Sequence, residues 1–185
     1  MAFSNNIWIT RKSRINASER LNKNNFWSQI IVAYYSMCLI ILTIIDIKDD
    51  NFNFETLSLI LSILIFTISI FIVSMNFKER SLILKTSYVK MSKLYWDILK
   101  KEDNEECYED LKNQYNTIIE LTEEHSTYDY LQVLFAERNN EQYKNVNPKW
   151  TYFSYFELFW YKIKRFNLIV FFFIIPPILW LLMAL

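Results

Sequence analysis

Three long apolar runs punctuate an otherwise polar chain. The first, WSQIIVAYYSMCLIILTII from Trp27 to Ile45, and the second, TLSLILSILIFTISIFIVSM from Thr56 to Met75, contain no charged residue. At the helical rise of about 1.5 Å per residue, each can cross a hydrocarbon core of ~30 Å. Only Asp46 to Glu55 lies between them, so the pair is expected to form a tight transmembrane hairpin. A third run, NLIVFFFIIPPILWLLMAL from Asn167 to Leu185, is also long enough to span. Pro176 and Pro177 are expected to break or kink it near its middle, which leaves a bent or re-entrant segment as the alternative to a third span.

The polar segments carry helical periodicity of their own. With no glycine or proline between Thr56 and Lys101, the second span is expected to continue as one helix to about Lys101, with an apolar face of Leu82, Leu84, Tyr88, Met91, Leu94, Tyr95 and Ile98. A helix at about Asn104 to Glu124 follows, with Tyr108, Leu111, Tyr115, Ile118 and Ile119 at three- and four-residue spacing, then one at about Thr127 to Tyr143 with Tyr130, Leu131, Leu134 and Phe135. These faces must be buried against one another or against a neighbouring protomer. Lys149 to Phe166 is dense in aromatic residues beside Lys162, Lys164 and Arg165, which suits either a helix in the headgroup region or one buried against the hairpin. The expected architecture is an all-α membrane protein: a basic N-terminal helix (1–26), a transmembrane hairpin (27–75), a cytoplasmic helical bundle (76–147), an aromatic interfacial helix (148–166) and a C-terminal membrane helix (167–185).

Charge sets the expected orientation. The first 25 residues hold Arg11, Lys12, Arg14, Arg20 and Lys23 against Glu19, and the segment after the second span is likewise basic, while the hairpin loop holds Asp46, Asp49, Asp50 and Glu55 against Lys48. The positive-inside rule then places both hairpin ends in the cytoplasm and the acidic loop outside. From Glu102 to Asp129 there are ten acidic residues and only Lys112 to offset them, a stretch that reads either as a solvated face or as a docking surface for a basic partner. The N-terminus, MAFSNNIWITRKS, lacks the apolar core of a signal peptide and is expected to remain on the mature chain.

Composition closes off several chemistries. The chain has no glycine, so there is no phosphate-binding loop, dinucleotide fingerprint or nucleophile elbow. Cys38 and Cys107 give neither metal spacing nor a disulfide framework and are expected as free thiols. The one histidine, His125, lies in EEHSTYDY, residues Glu123 to Tyr130, where two helices are expected to meet. Ser126 and Asp129 fit a helix-capping box, and His125 can offer a partly positive ring to the last carbonyls of the preceding helix. A catalytic reading would pair His125 with Cys107, whose neighbours Glu105, Glu106, Glu109 and Asp110 disfavour a thiolate. A metal reading would use Glu123, Glu124, His125 and Asp129. The structural reading is preferred: no catalytic, metal or cofactor site is expected, and no cofactor.

In these features the sequence resembles the SLATT domain family. The resemblance rests on the basic segment RKSRINASERL, two membrane helices with a tight turn, the stretch KERSLILKTSYVKMSKLYWDI, and matches at Arg14, Ala17, Arg20, Leu21, Glu123, His125, Asp129 and Tyr130. It covers about residues 8 to 160, and Glu124 stands where the family usually has asparagine. It is closest in pattern to the subfamily found beside reverse transcriptases in bacterial defence loci. The resemblance implies an anti-phage membrane effector that opens a pore or disrupts the membrane, in the manner of abortive infection, when a cytoplasmic sensor or reverse transcriptase partner detects infection. No direct nucleic-acid binding is expected.

Within the spans, Gln29, Ala33, Ser36 and Thr43 share one helical face and Ser58, Ser62 and Ser69 another, with Thr56, Thr67 and Ser74 opposite. Such stripes pack helices closely or line a narrow polar path, and two opposed stripes on one helix point to a homo-oligomer. With no charge inside either hairpin span, a weakly selective pore is expected rather than a selective ion site. The other reading is a non-conducting anchor or scaffold for a cytoplasmic enzyme.

Overall fold

The computed structural model describes residues 2–46, 54–100, 105–140 and 151–184. These residues form six α-helices and no strand: α1 (Ala2–Asp46), α2 (Phe54–Met75), α3 (Phe77–Lys100), α4 (Glu105–Glu120), α5 (Thr127–Glu137) and α6 (Tyr152–Ala184). They divide into two compact units, one of residues 1–22 with 78–161 and one of residues 23–77 with 162–185.

The apolar unit contains the second part of α1, all of α2 and the second part of α6. Its core is Ile31, Tyr35 and Leu42 of α1 against Leu57 and Leu61 of α2, with Phe172, Phe173, Ile175 and Leu179 of α6 packed on them. Outside this contact, Ile63, Phe66, Val73 and Phe171 are each more than half exposed. Continuous apolar helix surface of this kind belongs in lipid, where the backbone is satisfied within each helix. Three stretches, within Phe3–Ile45, Glu55–Lys100 and Tyr152–Leu181, are long and apolar enough to cross a membrane. The chain is an all-α membrane protein.

Three expectations need correction. The helix predicted to run from Thr56 to about Lys101 is interrupted at Asn76, whose φ of 47° lies in the left-handed region. Glycine usually takes this position after a helix end; in a chain without glycine, asparagine is the residue that adopts it at least cost. The predicted break at Pro176–Pro177 is absent, and the aromatic segment leads into the third apolar run within one helix, α6, from Tyr152 to Ala184. Proline removes the donor to the carbonyl four residues earlier, here those of Phe172 and Phe173. The hydroxyls of Tyr35 and Tyr34 in α1 donate to these two carbonyls at 2.9 and 3.2 Å, so the helix loses no satisfied group. The third correction is one of length: α5 stops at Glu137, short of the predicted Tyr143.

The polar unit packs α1 against α3 along a seam at three- and four-residue spacing. Ile7, Arg14, Ser18 and Leu21 face Ser81, Leu84, Ser87 and Met91, all buried. The seam is therefore not the purely apolar face expected: Leu82 is 54% exposed while Ser81 and Ser87 are buried. Small side chains let the two backbones approach, and the hydroxyls of Ser18 and Ser81 each donate to the other residue's carbonyl at 2.9 Å. Leu111 of α4 joins Met91, Leu94 and Ile98, and Leu158 of α6 packs with Leu131 and Leu134 of α5.

Candidate functional site

The polar unit closes around α5. Ser126 caps this helix in a reciprocal box: its hydroxyl accepts from the Asp129 N–H, and the Asp129 carboxylate accepts from the Ser126 N–H at 3.0 Å and from the Ser126 hydroxyl at 2.7 Å. Asp129 is completely buried. From α1, Arg20 reaches it with a two-pronged bond, Nε to Oδ1 at 2.9 Å and Nη2 to Oδ2 at 3.0 Å. Asn16, one turn earlier, donates to the Asp129 carbonyl at 3.1 Å. A buried carboxylate that fixes a helix start and answers a guanidinium fork is both costly to break and specific in geometry.

Around this pair lie the other candidates. Arg14 is buried to 1% exposure and donates to the Ser87 hydroxyl and to the Ile118 carbonyl, tying α1 to α3 and α4. Burial pulls its guanidinium below the usual range, against the opposing effect of Tyr115 and Glu124. Among the described residues its Nε and the buried Ser13 hydroxyl have no partner, so the Arg14 end is less well satisfied than the Asp129 end. Glu123 pairs with Arg80 of α3 at 2.8 Å on the half-exposed margin. The His125 ring lies 6.2 Å from that of Tyr130. Burial lowers the His125 pKa below its ordinary 6.5, Arg14 adds to this, and Asp129 and Glu124 oppose it. Burial raises the Tyr130 phenol. Ala17 and Leu21 are buried in the same seam.

The geometry answers the competing chemistries for these residues. Both oxygens of Asp129 are committed to Arg20 and Ser126, and Glu123 is committed to Arg80, so neither is an open ligand or a free acid–base group. Among the described residues no three His, Cys, Asp or Glu side chains come together as a metal cluster. The Cys107 side chain lies outside the described residues, as do the side chains of Glu102, Asp103, Glu105 and Glu106 at the start of the acidic stretch and the hairpin loop over 47–53. The arrangement is a polar core that locks four helices together. Sequence reasoning missed Asn16, Ser18, Arg80, Ser81 and Ser87; the serines sit at seam spacing, a signal hidden because they are not apolar.

The hydroxyl stripes of the apolar unit are placed differently. Ser36, Thr43, Ser62 and Ser69 each donate to the carbonyl four residues earlier in their own helix, and Ser58 to the carbonyl three earlier, at 2.7 to 2.9 Å. Gln29, Ala33, Thr43 and Ser62 are exposed; Ser36, Ser58 and Ser69 are partly so. None lies in the core between α1 and α2, which is built from Ile31, Tyr35, Leu42, Leu57 and Leu61. The stripes therefore do not hydrogen-bond the two hairpin helices to each other.

A buried polar core in one unit and membrane-length helices in the other define a helical membrane protein without a recognisable catalytic constellation among its described residues. The chain belongs to the SMODS and SLOG-associating 2TM effector domain family 5, whose model matches residues 2–182. This range covers α6 as far as Leu182, and with it a third stretch of membrane-spanning length, Tyr152–Leu181. No curated protein and no solved structure matches the chain.

Proposed function

We propose that the protein is the membrane effector of a bacterial anti-phage system, which oligomerises in the inner membrane and opens a weakly selective pore, or disrupts the bilayer, when a cytoplasmic partner triggers it. The observation that carries this reading is membership, over residues 2–182, of a family of membrane effectors, in a chain with three helices of spanning length. The hydroxyl stripes support self-association, since they lie outside the α1–α2 core and Thr43, Thr56, Ser62, Thr67 and Ser74 are exposed within one protomer. Basic flanks on both ends of the hairpin support a cytoplasmic side for the polar unit, where a sensor such as a reverse transcriptase would meet it. A trigger that binds one arrangement of the polar unit better than another shifts the population, and a shift from 1:99 to 99:1 needs a difference of about 5.5 kcal/mol.

The scaffold reading draws support from the exposed acidic side chains of α4, including Glu109, Asp110 and Glu120, which suit a basic partner. Membrane potential and dye entry in bacteria separate the two on induced expression, with and without the neighbouring genes. Rapid depolarisation is expected; an unchanged potential with partner and trigger present contradicts the effector reading and favours the scaffold.

A further inference from the structure

Two neighbouring pairs, far apart in sequence, meet in the apolar unit in matching register. Pro176 cannot donate to the Phe172 carbonyl, and the Tyr35 hydroxyl does so at 2.9 Å; Pro177 cannot donate to the Phe173 carbonyl, and the Tyr34 hydroxyl does so at 3.2 Å. Tyr35 is 1% exposed, and the Tyr34 ring rests 4.9 Å from that of Phe173. Each phenol thus replaces the one backbone donor that a proline removes. The serine and threonine stripes behave otherwise, since they bond back into their own helices and leave those helices complete without help from a neighbour.

This difference has consequences in lipid. A carbonyl freed by proline and stripped of its phenol has no water at hand and must recover a donor or accept a hydrated ion. Both phenols lie near the middle of their apolar run, and both freed carbonyls lie about a third of the way into theirs.

We propose that Tyr34, Tyr35 and the carbonyls of Phe172 and Phe173 form a latched polar site, closed by their mutual bonds, that takes water and a hydrated monovalent cation when α6 parts from α1. Backbone carbonyl oxygens are a ligand class that can stand in for part of the hydration shell of such ions. This rests on the pore reading above and gives it a location: the wetting point is the tyrosine–proline pair, and the serine stripes lie outside the α1–α2 core.

The test uses the full-length protein in vesicles and in detergent, in four forms: wild type, Y34F/Y35F, P176A/P177A, and all four changes together. Two quantities are read, resting potassium leak and thermal unfolding, with helicity by circular dichroism to confirm folding. Interhelical hydrogen bonds in membranes change an equilibrium by about three- to twenty-fold each. Y34F/Y35F is therefore expected to raise resting leak by about that factor or more and to lower the unfolding temperature. P176A/P177A restores the backbone donors, so on that background the tyrosine changes are expected to have little effect on either quantity. Equal effects of the tyrosine changes with and without the prolines overturn the latch. Coupling in unfolding with no leak from any form overturns the cation site, and depolarisation by the wild type in cells then decides separately whether the pore reading survives.

Discussion

The two units solve the same packing problem with opposite materials. The polar unit crosses between helices with charged and hydroxyl groups: Arg20 to Asp129, Arg14 to Ser87 and Ile118, Ser18 to Ser81, Asn16 to Asp129. The apolar unit turns its stripe hydroxyls back on their own helices and packs through leucine, isoleucine and phenylalanine, with the tyrosine pair reaching across to α6. The difference follows from solvent. Where water competes, a buried ion pair gives little net stability but strong geometric selection; where lipid surrounds the helices, shape and the few obligatory backbone partners decide.

If the polar core specifies its unit, the largest loss should come from its centre. Asp129→Ala removes the partner of Arg20 and the reciprocal cap of α5, and is expected to cost about 3 kcal/mol or more in detergent-solubilised protein, measured by denaturant unfolding of the helical signal. A loss below about 1 kcal/mol would mean that apolar contacts such as Leu131 with Leu158 hold the unit instead.

A smaller effect tests the boundary at Asn76. Asn76→Ala should cost about 1 kcal/mol because alanine pays the full steric penalty of positive φ, whereas Asn76→Gly should be neutral or slightly stabilising. If alanine and glycine behave alike, the helix break is not imposed by that backbone conformation.

The histidine gives a pH signature. Its folded pKa is lowered from 6.5 mainly by burial, so the neutral ring is the folded form and the unfolded chain takes up the proton first. Stability is then unaffected by this group above about pH 6.5 and falls as pH drops below that value. Replacing His125 with Gln should flatten this acid-side slope, read as unfolding midpoints between pH 7 and 5. The smallest effect belongs to Glu123→Gln: its bridge to Arg80 is about one-third exposed on both sides and should contribute at most ~1 kcal/mol.

The spans were readable because uncharged runs of that length have one physical destination, and α4 and the start of α5 because their apolar spacing and the Ser126–Asp129 cap are local signals. The α1–α3 seam was not, since its contact positions include Arg14, Ser18, Ser81 and Ser87, which an apolar-periodicity test reads as surface. The residues of the polar core were named through family resemblance, while their partners Arg80 and Asn16 were not. Partners separated by 43 and 113 positions leave no periodic trace. The proline pair misled for the same reason: the donors that keep α6 intact come from tyrosines 137 and 139 positions away.

The most direct test of the polar core is a double-mutant cycle on Arg20 and Asp129, with Arg20→Ala, Asp129→Ala and the double variant unfolded under one set of conditions. The double variant is expected to be no less stable than the worse single one by more than about 1 kcal/mol, because the cost of either change is largely the charge it leaves unpaired. Additive losses would contradict this and show that the two residues act independently.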